Sequence, residues 1–428
     1  MLVQPSMGQK SPPEKIRLML GEVQSKISRH RISINRCQTP PVIDGKLDDS
    51  AWEHAALLTH FIRNNNKGTT SIAGLTPAGA QSLVHVTYDD EYFYVGAQMM
   101  EPDMQYLVSV SENRDETVWK DDCLEWFLDT DFTGKQVIQI ISNNAGIIWD
   151  GHDYEAQTKI DWTCEGLKVA TSHGKDSWYV EWAVPYAGLG MPVPKKGDVW
   201  RMQFARQRYT TPTGQRRENS TWVGSIEKTF KMPDWFGEIV FNDVATTQVF
   251  LPETNFGTQE ASIAFYNARN VELPLTFVTR STGEEHRSSK TTGMVPAGQN
   301  RSFTIPFTTK DEGAQFNVLQ VYSGTELLSV IRKSYFIEPI SGPMKEKIDY
   351  ALMLSNAESQ SQAFRQNMAK RTLEMQSLYN QLINVKKLLV SGNLTAEEKK
   401  NRWDKIVEAF YLIDIPTPPA KPKVSIWR

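Results

Sequence analysis

Leu83-Val84-His85-Val86-Thr87-Tyr88 and Tyr92-Phe93-Tyr94-Val95-Gly96-Ala97, joined by Asp89-Asp90-Glu91, read as two short strands and a turn. β-branched and aromatic side chains suit a pleated, half-buried surface, and Asp in the connection bonds its own backbone. The same texture recurs in Leu124-Glu125-Trp126-Phe127-Leu128, Val137-Ile138-Gln139-Ile140-Ile141, Trp178-Tyr179-Val180-Glu181-Trp182 and Val199-Trp200-Arg201-Met202-Gln203-Phe204. Turn residues separate the runs at Phe132-Thr133-Gly134-Lys135 and Lys195-Lys196-Gly197-Asp198. Many short strands at this spacing predict a mainly β protein whose first domain, residues 32–243, is a β-sandwich.

Working outward, residues 247–340 hold a second all-β pattern, with alternation at Phe303-Thr304-Ile305-Pro306-Phe307 and Phe316-Asn317-Val318-Leu319-Gln320-Val321. Its length suits a small Ig-like sandwich. Past Ser341-Gly342-Pro343 the period becomes helical: Met368, Met375, Leu382 and Leu389 recur every seven residues, with Leu378 and Val385 between them. Gly392 stops that helix, and Thr395-Ala396-Glu397-Glu398 is a capping box that starts another, so 343–413 is expected to be a helical hairpin of two antiparallel helices. Residues 1–31 form a polar N-terminal arm, with a short helix predicted after Ser11-Pro12-Pro13-Glu14. Residues 414–428 begin with the composition of an extended Pro-rich linker, and the polypeptide is expected to continue into further domains beyond Arg428.

A formal net charge of -3, from 47 Lys+Arg against 50 Asp+Glu, supplies no positive field for a polyanion, so nucleic acid is not an expected partner. No window approaches a membrane span. Cys37, Cys123 and Cys164 are too few for a disulfide framework and too scattered for a zinc box. No nucleophile, phosphate-loop or metalloprotease motif is present. Carboxylate pairs such as Asp121-Asp122, or Glu125 with Asp129, mimic a glycosidase site but are common at strand ends, and Trp149-Asp150-Gly151-His152-Asp153-Tyr154-Glu155 reads first as a solvated loop. The chain as it stands is therefore expected to be no enzyme.

Tryptophan is the informative residue. Ten of the 12 fall between Trp52 and Trp235, more than a sandwich core usually needs, since Trp is rarely fully buried. An exposed indole face is the natural partner of the C–H face of a sugar ring. Trp52, Trp126, Trp178 or Trp182, and Trp200 are expected in the core.

Pro41-Val42-Ile43-Asp44-Gly45-Lys46-Leu47-Asp48-Asp49-Ser50-Ala51-Trp52, the 83–95 hairpin, and Trp119-Lys120-Asp121-Asp122-Cys123-Leu124-Glu125-Trp126-Phe127-Leu128-Asp129 together resemble the family 9 carbohydrate-binding modules. Trp178 through Pro185 and Trp235-Phe236-Gly237-Glu238-Ile239 continue the pattern in order, so the resemblance covers about residues 32–243. It implies a sandwich in which two Trp clamp a terminal sugar, here Trp119 and Trp222, with Glu125, Asn143 and Asn219 reading its hydroxyls. Ile141 stands where that family usually has Arg. The resemblance further implies structural calcium, for which Asp129 and Asp131 offer oxygens, an extracellular or periplasmic location, and a place as the accessory region of a larger secreted glycoside hydrolase. Two other classes are weighed beside it: a haem-binding electron-transfer domain of the related DOMON type with Met99, Met100 or His85 as axial ligands, and an interaction module whose sugar site has decayed.

Overall fold

The chain, in a computed structural model, is described over residues 29–63, 77–129, 131–154, 157–159, 162–209, 218–223, 230–251, 257–281, 288–309, 312–337, 340–390, 398 and 400–417. Its first strands are β1 (Arg31–Asn35), β2 (Ala56–Leu58), β3 (Ile62–Arg63), β4 (Ser82–Tyr88) and β5 (Tyr92–Met100). There follow β6 (Cys123–Asp129), β7 (Gln136–Asn143), β8 (Ile148–Tyr154), β9 (Gln157–Lys159), β10 (Lys168–His173), β11 (Ser177–Pro185), β12 (Val199–Arg208), β13 (Glu218–Thr221), β14 (Gly237–Asn242) and β15 (Val244–Phe250). The last are β16 (Gly257–Asn267), β17 (Leu273–Ser281), β18 (Ser288–Val295), β19 (Asn300–Thr309), β20 (Gly313–Ser323) and β21 (Glu326–Ile337). The N-terminal helix, Gly392, most of the 395–398 capping box and the chain from residue 418 lie outside the described residues.

The period-2 alternation sorts β5 as expected: Phe93, Val95, Ala97 and Met99 enter the core. Two sheets supply that core, one ordered β10-β11-β5-β4-β2 and one running β14-β12-β6-β7-β8-β9. Trp126, Trp178, Trp182 and Trp200 all lie in it, and Trp52 is buried in a smaller cluster. Phe93 stacks on Trp126 at 5.3 Å, an offset aromatic contact of the kind that fixes a sandwich's interior.

The outer face of the five-stranded sheet is sealed by the chain itself. His85, Gly96 and Glu181 stand in one register row. The Trp52 ring lies on Gly96, where a Cβ would meet it at 3.0 Å. Buried Glu181 accepts Trp52 Nε1–H at 2.8 Å and the backbone N–H groups of Asp44 and Gly45 at 2.9 and 2.7 Å. Gly45 has φ +86°, and a Cβ there would sit 2.7 Å from the Thr171 backbone, so only glycine fits this approach. The Asp-Gly…Trp block and the Trp-Tyr-Val-Glu-Trp block of the sequence are thus two halves of one hydrogen-bonded lock.

No linker separates the second sandwich from the first. Asp243 alone stands between β14 and β15, and Val244, Ala245 and Thr246 are buried. β1 pairs in parallel with β14 and antiparallel with β21, so one 13-stranded sheet runs through both regions. Seven strands, β15–β21, divide into β18-β17-β20-β21 and β15-β16-β19, and their Phe265, Phe277 and Val321 join the same core cluster.

A second compact unit takes, among the described residues, 257–259, 308–309, 312–313, 337, 340–390, 398 and 400–417. Its helical part carries the predicted stripe: Met368, Met375, Leu382 and Leu389 are all buried on one helix, Gln362–Val390. The expected two-helix hairpin is corrected to three longer helices among the described residues, Ser341–Ser355, Gln362–Val390 and Lys405–Leu412. The additional break falls at Ser355-Asn356-Ala357-Glu358-Ser359-Gln360-Ser361, where Ser and Asn compete for backbone hydrogen bonds, and Ser361 Oγ accepts Phe364 N–H at 3.2 Å to cap the next helix.

Candidate functional site

The outer face of the first sandwich's other sheet is built differently. Since side chains alternate, Leu124, Trp126 and Leu128 of β6 face the core, while Cys123, Glu125 and Phe127 face away from it. Register then fixes Glu125's neighbours: Ile141 on β7 and Ala205 on β12, with Thr221 of β13 paired to Ala205. One row away lie Asn219, Gln207, Cys123 and Asn143, and on the other side Gln203, Phe127, Gln139 and Gly151. Glu125, Asn143 and Asn219, which are far apart in sequence, therefore come to one face.

Glu125 is 2% exposed and hydrogen-bonded by two carboxamides that the sequence reading did not single out. Gln139 Nε2 donates to Oε2 at 2.8 Å, and Gln207 Nε2 donates to Oε1. A buried carboxylate needs such donors, because stripping it of water without them costs several kcal/mol. Beside it, Ile141, Val118, Cys123 and Trp149 form an apolar cluster against which Trp119 packs, the two indoles edge to face at 5.7 Å. Trp149 lies over Gly151, where a Cβ would meet the ring at 2.7 Å.

Trp119 is half-buried on a short turn, Val118–Lys120, held from both sides. Asp121 accepts the Val110 and Ser111 N–H groups at 2.9 and 3.1 Å, and Asp122 accepts those of Val108 and Tyr209 at 2.8 and 3.0 Å. The Tyr209 hydroxyl donates to the Trp119 carbonyl at 3.2 Å. The adjacent aspartates are thus backbone clamps that seat Trp119, not an acid–base pair.

Two of the expected sugar contacts are corrected. Trp222 follows Thr221 on β13, so alternation turns it the other way; its N–H bonds the Phe204 carbonyl at 2.9 Å, and its ring lies 2% exposed in the core, 5.0 Å from His30. It packs where Gly237 leaves room, a Cβ there meeting the indole at 2.5 Å. Asn143 does reach the face, but its Nδ2 donates to Asp121 at 2.9 Å and Ser109 at 3.2 Å, while its Oδ1 accepts from Ala145 and Ile147 N–H at 3.1 and 2.9 Å. All four hydrogen-bonding positions of the amide are taken within the protein, two by the turn after β7 and two by Ser109 and Asp121.

Asp129 and Asp131, the expected calcium pair, stand at the end of β6 and in the segment that follows it. Asp131 Oδ1 accepts from Thr133 N–H and Oγ1, and burial together with contact to Asp131 pushes the Asp129 carboxyl up to about 6. No cluster of three His, Cys, Asp or Glu suited to a metal occurs among the described residues. The haem alternative meets a register problem. Met99 points into the core and His85 out of the sheet, while Met100, also outward, is 44% exposed at the strand end, four residues beyond the Gly96 that pairs with His85. Finally, the acidic stretch expected to be a loop is strand β8, with Asp150 buried, bonded by Arg114 Nη2 and the Cys164 N–H, both at 2.6 Å.

Residues 43–244 match the family model described as carbohydrate family 9 binding domain-like. Among solved structures, a putative carbohydrate-binding protein from Bacteroides uniformis is 16% identical, covering 50% of this chain and 100% of its own, with a TM-score of 0.40. Family 9 carbohydrate-binding modules from Caldicellulosiruptor kristjanssonii, solved with glucose and with cellotriose, are 19% and 18% identical at TM-scores of 0.36; they span 50% and 53% of this chain, and 95% and 100% of their own lengths. The chain has no match among curated proteins. The ordered blocks around Trp52, Tyr88, Trp126, Trp182 and Gly237, each now accounted for in one sandwich, place residues 43–244 in the carbohydrate family 9 binding domain-like family.

Proposed function

We propose that this protein binds carbohydrate, without transforming it, on the sheet face that carries Glu125. The observation that carries the reading is a buried carboxylate held by two glutamine amides, Gln139 and Gln207, beside the apolar lining of Trp119, Trp149 and Ile141. A pyranose presents both chemistries at once, hydroxyls for a charged acceptor and C–H surface for an aromatic plane. Ile141, in place of the Arg usual in the family, adds to the apolar side of that surface. One clamp residue, Trp119, supplies the stacking, and Asn219 adjoins Gln207 in the register. The module's role as the accessory region of a larger secreted glycoside hydrolase, and with it an extracellular or periplasmic place of action, rests on the company such modules keep. Among the described residues no helix is long and apolar enough to cross a membrane.

The test is calorimetric titration of wild type and Trp119→Ala with glucose, galactose, xylose, cellobiose and longer β-glucans and xylans. We expect saturable heats in wild type, weakened by roughly 1–3 kcal/mol on losing the indole, with circular dichroism unchanged. Absence of binding across the panel would refute the proposal.

A further inference from the structure

Of the polar atoms on this sheet face that have no hydrogen-bond partner among the described residues although they are shut from solvent, Asp129 Oδ2, Arg201 Nε and Asp153 Oδ1 lie farther along the sheet, and two stand within one row of Glu125: Gln207 Oε1 and Thr221 Oγ1. The residues are 4% and 1% exposed. They stand on neighbouring strands, one row apart, Gln207 opposite Asn219 and Thr221 opposite Ala205, the residue that also pairs with Glu125. Gln207's orientation is fixed by its amide nitrogen, which donates to the Glu125 carboxylate and leaves the oxygen turned away from it. Natural proteins seldom leave such groups unmatched, because each costs about 1–3 kcal/mol. Two of them on adjacent strands of one face, one row apart, mark a place for something else to complete.

Their chemistry specifies what. An amide oxygen only accepts, whereas a threonine hydroxyl donates or accepts. One incoming hydroxyl answers both, donating to Gln207 Oε1 while accepting from Thr221 Oγ1–H. A carboxylate or phosphate dianion lacks the proton for Gln207 and would sit beside the Glu125 charge, and an ammonium group can only donate, which leaves the Thr221 hydroxyl proton without an acceptor. We infer that Gln207 and Thr221 are the specificity-determining pair of this face and together read a single ring hydroxyl of a neutral sugar. The inference rests on the carbohydrate reading above and adds to it the residues that discriminate between sugars differing at one hydroxyl.

The experiment compares wild type, Thr221→Val, Thr221→Ser and Thr221→Ala against the best-binding sugar of the panel and its monodeoxy analogues. Because the hydroxyl has no partner in the free protein, Thr221→Val should melt at or above the wild-type temperature while binding roughly three- to ten-fold more weakly. Thr221→Ser should restore affinity. One monodeoxy analogue should lose the same factor on wild type and nothing further on Thr221→Val. Wild type that binds sugar, with Thr221→Val binding equally well, overturns the pair while leaving the carbohydrate reading standing. So does a lowered melting temperature with affinity intact, the signature of a buried water satisfying both atoms. If the valine variant does not fold, Thr221→Ala carries the same comparison. Wild type that binds no sugar removes both readings together.

Discussion

Glu125 and Glu181 are the same residue type, both buried, on the outward faces of the two opposed sheets of one sandwich. Glu181 receives three donors from the loop that covers it, Asp44, Gly45 and Trp52. Glu125 receives two glutamine amides from its own sheet, and unmatched polar atoms lie beside it. The difference teaches that burial of a carboxylate says little about role. What decides is whether neighbouring groups are matched by the chain or left for another molecule. Glu181 is a lock on the fold, and its face is closed. Glu125 belongs to a face with chemistry left over.

The comparison breaks most readily at the tryptophans. Trp222→Ala should cost about 3–5 kcal/mol of stability, the usual price of emptying a core indole site, whereas Trp119→Ala should leave the melting temperature within a few degrees of wild type. Denaturant unfolding measures both, and equal losses would show that the two faces are not distinguished as described. Next, Glu181→Ala strands two buried donors and one part-buried one and should cost about 3 kcal/mol with sugar affinity unchanged in the folded fraction. Glu125→Gln should do the reverse, weakening binding by about 1–2 kcal/mol through loss of a charged acceptor while melting near the wild-type temperature.

A smaller effect concerns pH. His85 lies beside Trp52 on the Glu181 side, its rings' centroids 6.5 Å apart, and burial holds its imidazole down at about 4. An unfolded His titrates near 6.5, so above that pH both states are neutral; as pH falls the unfolded chain takes up the proton first, and stability is lost between 6.5 and 4. At pH 5.5 the loss should be about 1 kcal/mol in wild type and absent in His85→Gln, so the stability difference between the two should change by that amount as pH falls. A pH-independent difference would put a protonated imidazole in that row. The smallest effect concerns the calcium expected at Asp129 and Asp131: a chelator should lower the melting temperature and added calcium restore it, and no shift between the two conditions would remove calcium from the account.

Much of this was legible in the chain. Alternation in 83–97, 124–128 and 178–182 fixed strands and their buried sides, because a period of two is a local property. The seven-residue stripe from Met368 to Leu389 gave its helix for the same reason. The resemblance of the ordered blocks gave the family and placed Glu125, Asn143 and Asn219 on one face. Four things depended on tertiary structure. Trp222 lies in the core because one residue's step along β13 reverses its side, and only the pairing of Thr221 with Ala205 sets which side that is. Asn143 is committed to its own turn because Asp121, Ala145 and Ile147 converge on it. The absence of a linker at 243 follows from β1, whose two edges join β14 and β21 across some 200 and 300 residues of sequence. Gln139 and Gln207 meet Glu125 across three strands, and no spacing within one segment encodes a contact that register alone creates.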